Sequence, residues 1–113
     1  MQSKVAQVNL EYGMPTVEAA LQKLKNSLTT LKAQGTRAVI VIHGYGASGV
    51  GGSIKHAVTR FLGESSMIGI VRAFANGDQW FTRKRELIAL CGSLESYERK
   101  VANNSGVTVV VLR

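Results

Sequence analysis

Apolar residues change their spacing several times along this chain, and each change predicts an element. In "KVAQVNLEYG", Ala6, Val8 and Leu10 alternate imperfectly with Val5, Gln7 and Asn9, the period of a strand. Met14 and Pro15 break that pattern, and Thr16 is placed to cap the next segment. Val17, Ala20, Leu21, Leu24, Leu28 and Leu31 then recur three and four apart, the stripe of an amphipathic helix of about four to five turns. Gly35 is its stop, and Lys23, Lys25 and Lys32 fall on its wetter sides. "AVIVIH" is a continuous apolar run, as expected of a strand buried on both faces or central in a sheet. Ile54, Ala57, Val58, Phe61 and Leu62 mark a second, shorter helix that ends near Gly63.

Beyond it, "MIGIVRAF" reads as a third strand and Phe81 to Cys91 as a short helix with Leu87, Ile88 and Leu90 inward. "SLESYERKVANNSG" is polar, irregular or loosely helical, and its "NNSG" turns the chain into a closing strand, "VTVVVL", at 107–112. The order β-α-β-α-β-(α)-β over residues 1–113 predicts one α/β domain. The expected form is a two-layer α/β sandwich, with a small four-stranded mixed sheet and two main helices. Right-handed crossovers would make the first two strand pairs parallel. Function in such sheets gathers at the carboxyl ends of the strands, where Glu11, His43, the glycine loop and Arg72 are expected.

Composition adds little to this until charge is counted. With 45% hydrophobic and 6% aromatic residues the chain is ordinary and globular. No apolar run approaches the ~20 residues of a membrane span, and "MQSKVAQVN" lacks the apolar stretch of a secretory signal. The single cysteine, Cys91, can form neither an internal bridge nor a cysteine-based metal site, and it reads as a half-buried apolar residue in a reducing, cytoplasmic setting. Fourteen Lys and Arg against seven Asp and Glu give +7, which favours polyanion partners, nucleic acid first and an anionic membrane surface second. A soluble basic surface with no such partner is the plainer alternative.

"IVIHGYGASGVGGSIKHAV", residues 40–58, carries the candidate chemistry. Gly44 to Gly49 spells the dinucleotide pattern G-x-G-x-x-G, but the chain is too short for a two-half nucleotide fold, and the next strand offers Arg72 where an acidic residue should close it. Gly46 to Ser53 has P-loop spacing with Gly52 in place of the lysine, so the charge that reaches the terminal phosphates is missing. An esterase loop fails for want of a nucleophile elbow. A less selective phosphate cradle remains. Backbone amides of Gly44, Gly46, Ser48, Gly49, Gly51, Gly52 and Ser53 would line it, with Lys55 and Arg60 on the following helix. A tight strand-to-helix turn that uses glycine only for packing is the structural alternative, and His56 reads as a surface helix residue.

Together, "VNLEYGMPTVEAAL" and "VIHGYGASGVGGSIKHAVTRFL" resemble a small MutS-related (Smr) domain, whose family carries an "LDLHG"-type strand, a "TVEEAL" helix and an "HGxG" loop before a helix. The match is best over residues 5–75, and the closing strand at 107–112 also fits. The resemblance implies an α/β sandwich similar to the C-terminal domain of translation initiation factor three. It also implies binding to nucleic acid, DNA or RNA, and in many members nicking or cleavage of a strand. His43, Gly44 and Gly46 match the second motif. The first motif departs: in one alignment Asn9 stands at the family's aspartate and Glu11 at its histidine, and in the other Tyr12 takes the histidine position.

Phosphodiester cleavage needs a proton carrier and stabilisation of charge on the phosphoryl oxygens. His43 with Glu11 would supply the first, with Asn9 as a hydrogen-bonding group, and the loop with Lys55 the second. A binding or adaptor module with a lapsed nuclease site is the alternative. Arg83, Lys84 and Arg85 are candidate phosphate contacts, while Trp80 and Phe81 beside them either stack on unpaired bases or pack on a core edge. His43, His56 and Glu11 form no recognisable metal-ligand motif, although a divalent cation is compatible with the chemistry.

Overall fold

The structure, a computed structural model, describes residues 4–11, 13, 16–44 and 50–113, the side chains of residues 50–53 excepted. Strand β1 (Val5–Asn9) leads to helix α1 (Val17–Ala33), strand β2 (Ala38–Ile42) and helix α2 (Val50–Leu62). Strand β3 (Val71–Asn76), helix α3 (Trp80–Leu90), the short helix α4 (Glu98–Val101) and strand β4 (Val107–Leu112) complete the chain. Single 3-10 segments at Ser65–Met67, Gly77–Gln79 and Gly92–Tyr97 join the later elements. No helix among the described residues is long and apolar enough to cross a membrane.

Local chemistry sets the element ends. Thr16 Oγ1 accepts the Ala19 amide at 3.1 Å and caps α1. Glu18 in its first turn and Lys32 in its last complement the helix dipole. Gly35, at φ +88°, lets the chain leave the helix in a conformation that other residues adopt at a cost.

The sheet runs β1-β2-β4-β3. β1 and β2 are parallel, in register from Val5 opposite Ala38 to Asn9 opposite Ile42, and β4 is antiparallel to both β2 and β3. The expected four-stranded mixed α/β sheet is therefore present, but only the first of the two anticipated parallel pairs forms. β2 and β3 point the same way with β4 between them. All six residues of β4 are buried, so the strand needs a neighbour on each edge and cover on each face, which only an inner position provides.

Helical cover lies on both faces. Val8, Leu10, Val39, Val41, Val110 and Leu112 meet Ala20, Leu24 and Leu28 of α1 and Ile54, Val58 and Leu62 of α2. On the other face Val5, Ala38, Ile40, Ala75, Val107, Val109 and Val111 meet Trp80, Leu87, Leu94 and Val101. The two main helices thus make one layer, and α3, the 3-10 segment and α4 add a thinner one opposite.

Three expectations shift with this arrangement. The third strand starts at Val71 rather than Met67, because Met67 is buried in a 3-10 turn and Ile68 is 59% exposed. It extends through Asn76, which puts Arg72 near its start, at a bulge and at the far end from the strands' carboxyl edge. Cys91, expected half-buried, is a buried free thiol. The stretch read as irregular or loosely helical does form short helix, the 3-10 segment and α4.

Candidate functional site

Register brings the ends of β1, β2 and β3 and the start of β4 to one edge: Asn9 lies opposite Ile42, Ile42 opposite Val107, and Asn76 opposite Thr108. The backbone amides of His43 and Gly44 both donate to Gly106 O, at 2.9 and 3.0 Å, which pins the exit of β2 to the entry of β4.

His43 is fully buried there. Its Nε2 is 2.9 Å from Thr108 Oγ1, and its Nδ1 is 3.2 Å from Gly44 O. Thr108 Oγ1 in turn donates to Asn76 Oδ1 at 2.8 Å. The Asn76 carbonyl is oriented independently by a capping box, in which it accepts from the Gln79 amide while Gln79 Oε1 accepts from the Asn76 amide. Thr108 has one proton, and Asn76 takes it, so the hydroxyl oxygen meets His43 as an acceptor. The Gly44 carbonyl can only accept, so that contact calls for Nδ1–H, whereas the Thr108 contact calls for Nε2–H; a neutral ring satisfies one of the two and a protonated ring both. Burial holds the His43 pKa below its ordinary value; the Gly44 carbonyl opposes that shift, Lys55 adds to it and Asp78 opposes it.

Glu11 comes to this edge by an Asx turn, its amide donating to Asn9 Oδ1 at 2.8 Å. Its carboxylate lies across Gly44, where a Cβ would strike Glu11 Oε2 and come within 2.9 Å of Cδ. What requires glycine at Gly44 is its φ of +80°, since the exposed Glu11 carboxylate can swing aside. Glu11 therefore meets the residue after His43, and among the described residues it makes no bond to the ring. The Asn9 carbonyl accepts Lys23 Nζ from α1 at 2.7 Å.

The cations divide by location. Lys55 Nζ, in α2, stands 3.4 Å from Asp78 Oδ2 just beyond β3, so α2 and β3 are bridged next to His43. Arg60 is exposed in the last turn of α2, away from this edge. Arg83 bonds Glu86 at 2.6 Å and Phe74 O at 3.2 Å. Lys84 bonds Glu98 at 2.6 Å, and Arg85 is exposed without an ion pair among the described residues. Trp80 is buried and donates to Glu98 Oε1 at 2.7 Å, so it belongs to the core edge, whereas Phe81 is 59% exposed. His56 is exposed on α2.

Gly46, Ser48 and Gly49 lie outside the described residues. Gly51, Gly52 and Ser53 fall in the first turn of α2, with their side chains outside the description. A cleft of about 560 Å³ between α2, β3 and α3, with Thr59, Arg72, Phe74 and Arg83 in its walls, runs along β3 rather than over His43. No three His, Cys, Asp or Glu side chains among the described residues converge as a metal site.

Sequence reasoning missed Asn76, Asp78 and Thr108. Two signals were available: Asn76 and Gln79 have the spacing of a capping box, and Thr108 is a lone hydroxyl inside "VTVVVL", where a buried strand obliges it to find a partner.

Comparison with known proteins agrees with this architecture. No curated protein matches the chain. Among solved structures, the crystal structure of the Smr domain of Thermus thermophilus MutS2 superposes with a TM-score of 0.59 at 25% identity, covering 96% of this chain and 98% of that one. The family model for the Smr domain matches residues 12–82, from Tyr12, just before the first motif's glycine, through α1, β2, the glycine loop, α2 and β3 into the start of α3. Matched over more than half its length and in its fold as well, the chain belongs to the Smr domain family.

Proposed function

We propose that this Smr domain binds nucleic acid, DNA or RNA, through the phosphodiester backbone and without strong sequence preference. The observation that carries the reading is the convergence of Gly44, Lys55 and the start of α2 on the carboxyl edge of the sheet, in a chain of net charge +7. Amides that leave a glycine-lined turn suit phosphate oxygens, and Gly46, Ser48, Gly49, Gly51, Gly52 and Ser53 are the residues proposed to present them, while Gly44, whose amide is held by Gly106 O, turns the chain towards them. Lys55 adds charge beside them, and Arg85 and Arg60 extend the contact over the surface.

Strand nicking is the catalytic form of this reading. His43 would be the proton carrier, with Glu11 and Asn9 beside the reacting phosphate. A non-catalytic binding module is the second reading, favoured by one observation: the His43 ring is fully buried, with both nitrogens against Thr108 and Gly44. A proton carrier must reach its substrate directly or through one water.

Titration of labelled duplex DNA, structured RNA and mononucleotides tests binding. Affinity for the polymers should fall steeply as salt rises, because bound phosphates release counterions; salt-independent binding would refute the polyanion reading. A supercoiled-plasmid assay, with and without divalent metals, separates the two chemical forms. Under the catalytic form, His43→Ala nicks at least ~10²-fold more slowly than the parent while binding survives. Under the binding-module form the parent itself does not nick.

A further inference from the structure

Helix geometry separates the residues of the Arg83-Lys84-Arg85 run, and that separation singles out Phe81. Successive residues turn by about 100°, so Trp80, Lys84 and Leu87 share one side of α3 while Phe81 and Arg85 share another. The first side is the anchored one: Trp80 and Leu87 are buried, and Glu98 accepts from both Trp80 Nε1 and Lys84 Nζ. Arg83 is turned towards β3, where it reaches Phe74 O. Phe81 is left 59% exposed, an unusual place for a phenyl ring. Lys84 Nζ, held by Glu98, stands over one face of the ring, 5.5 Å from its centroid, and exposed Arg85 comes one turn later on the helix. The ring also lies three residues after Asp78, whose carboxylate bonds Lys55, so this side of α3 begins beside the carboxyl edge of the sheet.

We propose that Phe81 is a stacking platform for an unpaired nucleobase, with Arg85 and Lys84 meeting the adjoining phosphates. The inference rests on the nucleic-acid reading of the site and narrows its substrate class to strands with accessible bases. Charge selects this occupant. A phenyl ring with a cation over one face, its other face open to solvent and an exposed arginine one turn along, suits a flat π-face attached to a polyanion. In a paired duplex the base faces are stacked on each other and closed to Phe81, so the platform discriminates between paired and unpaired targets without reading sequence.

The test compares the parent with Phe81→Ala, Phe81→Leu and Phe81→Trp, each checked for native circular dichroism. The probes are labelled single-stranded oligodeoxythymidylate, its ribose counterpart oligouridylate, and a blunt DNA duplex. Phe81→Leu keeps an apolar side chain without a π-face, which guards against a folding artefact. One stacked base contributes about 1–3 kcal/mol, so Phe81→Ala and Phe81→Leu should weaken single-strand binding about 5- to 150-fold and leave duplex binding within about twofold. Phe81→Trp should bind single strands at least as well as the parent. Equal binding of single strands by parent and Phe81→Ala overturns the platform, and so does an equal loss on single strands and duplex. A parent that binds none of the probes overturns the nucleic-acid reading, and the platform with it.

Discussion

On one face of the sheet, α1 and α2 pack through side chains that recur at helical spacing: Ala20, Leu24 and Leu28, then Ile54, Val58 and Leu62. On the other, α3 and α4 have fewer such residues and use particular contacts. Trp80 and Lys84 share the Glu98 carboxylate. Gly77 is packed so tightly that a Cβ would strike the Asn104 and Val101 carbonyls, and its own carbonyl accepts the Asn103 amide at 3.0 Å. Cooperative apolar burial degrades gradually under substitution, whereas point contacts fail one at a time. The face built by burial carries α2 and Lys55 into the candidate site. The same face carries Asn76 and Thr108, which hold His43: along their strands they alternate with Ala75, Val107 and Val109 of the opposite face.

Leu24→Ala should have the largest effect, a loss of about 2–5 kcal/mol read from the denaturant midpoint, because it opens a cavity in the well-filled face. Gly77→Ala should come next at about 1–3 kcal/mol, since both atoms that it strikes are backbone and the corner after β3 must shift. Thr108→Val should cost a similar or smaller amount, because it leaves the buried His43 Nε2 without its hydrogen-bond partner. Nitrogen-15 NMR of the His43 ring reads this variant directly: with Thr108 removed, the Gly44 carbonyl is the remaining partner and the ring should settle as the Nδ1–H tautomer.

A pH series gives a smaller, graded effect. The His43 pKa is lowered in the folded state, so the unfolded chain takes up a proton first. Stability contributed by His43 is complete above its ordinary value of about 6.5 and declines as pH falls through the folded pKa. Glu98, held below its usual range by the Lys84 and Trp80 hydrogen bonds, acts in the same direction at lower pH. Glu98→Gln should give the smallest change of all, visible as a flatter acid limb. A drop as large as that of Gly77→Ala would mean that the charge, rather than the fit, anchors α3.

The burial-built face was legible in the residues because its signal is periodic and local. α1, β2 and α2 are spelled by the leucine stripe, "AVIVIH" and the run from Ile54 to Leu62. β4 was legible as a strand but its place was not: a buried strand can pair on either side, and register is a property of distant partners. β3 was displaced by the apolar "MIGI", which reads as strand but is spent on a turn around Met67. At the site, His43 and Gly44 were found by their motif. Their partners were harder to see, because Thr108 is 65 residues from His43 and Asn76 another 32 from Thr108, and no local pattern spans such separations.

β3 is an outer strand, and unpaired peptide groups on such a rim invite another chain to add itself. Two of those groups are already occupied, Phe74 O by Arg83 and the Asn76 amide by Gln79. Arg72, at the bulge, adds an exposed charge farther along the same strand. A chain whose closing segment is "VTVVVL" would otherwise carry a strong tendency to assemble into extended ribbons. By enclosing that segment within the sheet and stoppering the strand outside it, the fold limits growth of the sheet along the β3 rim.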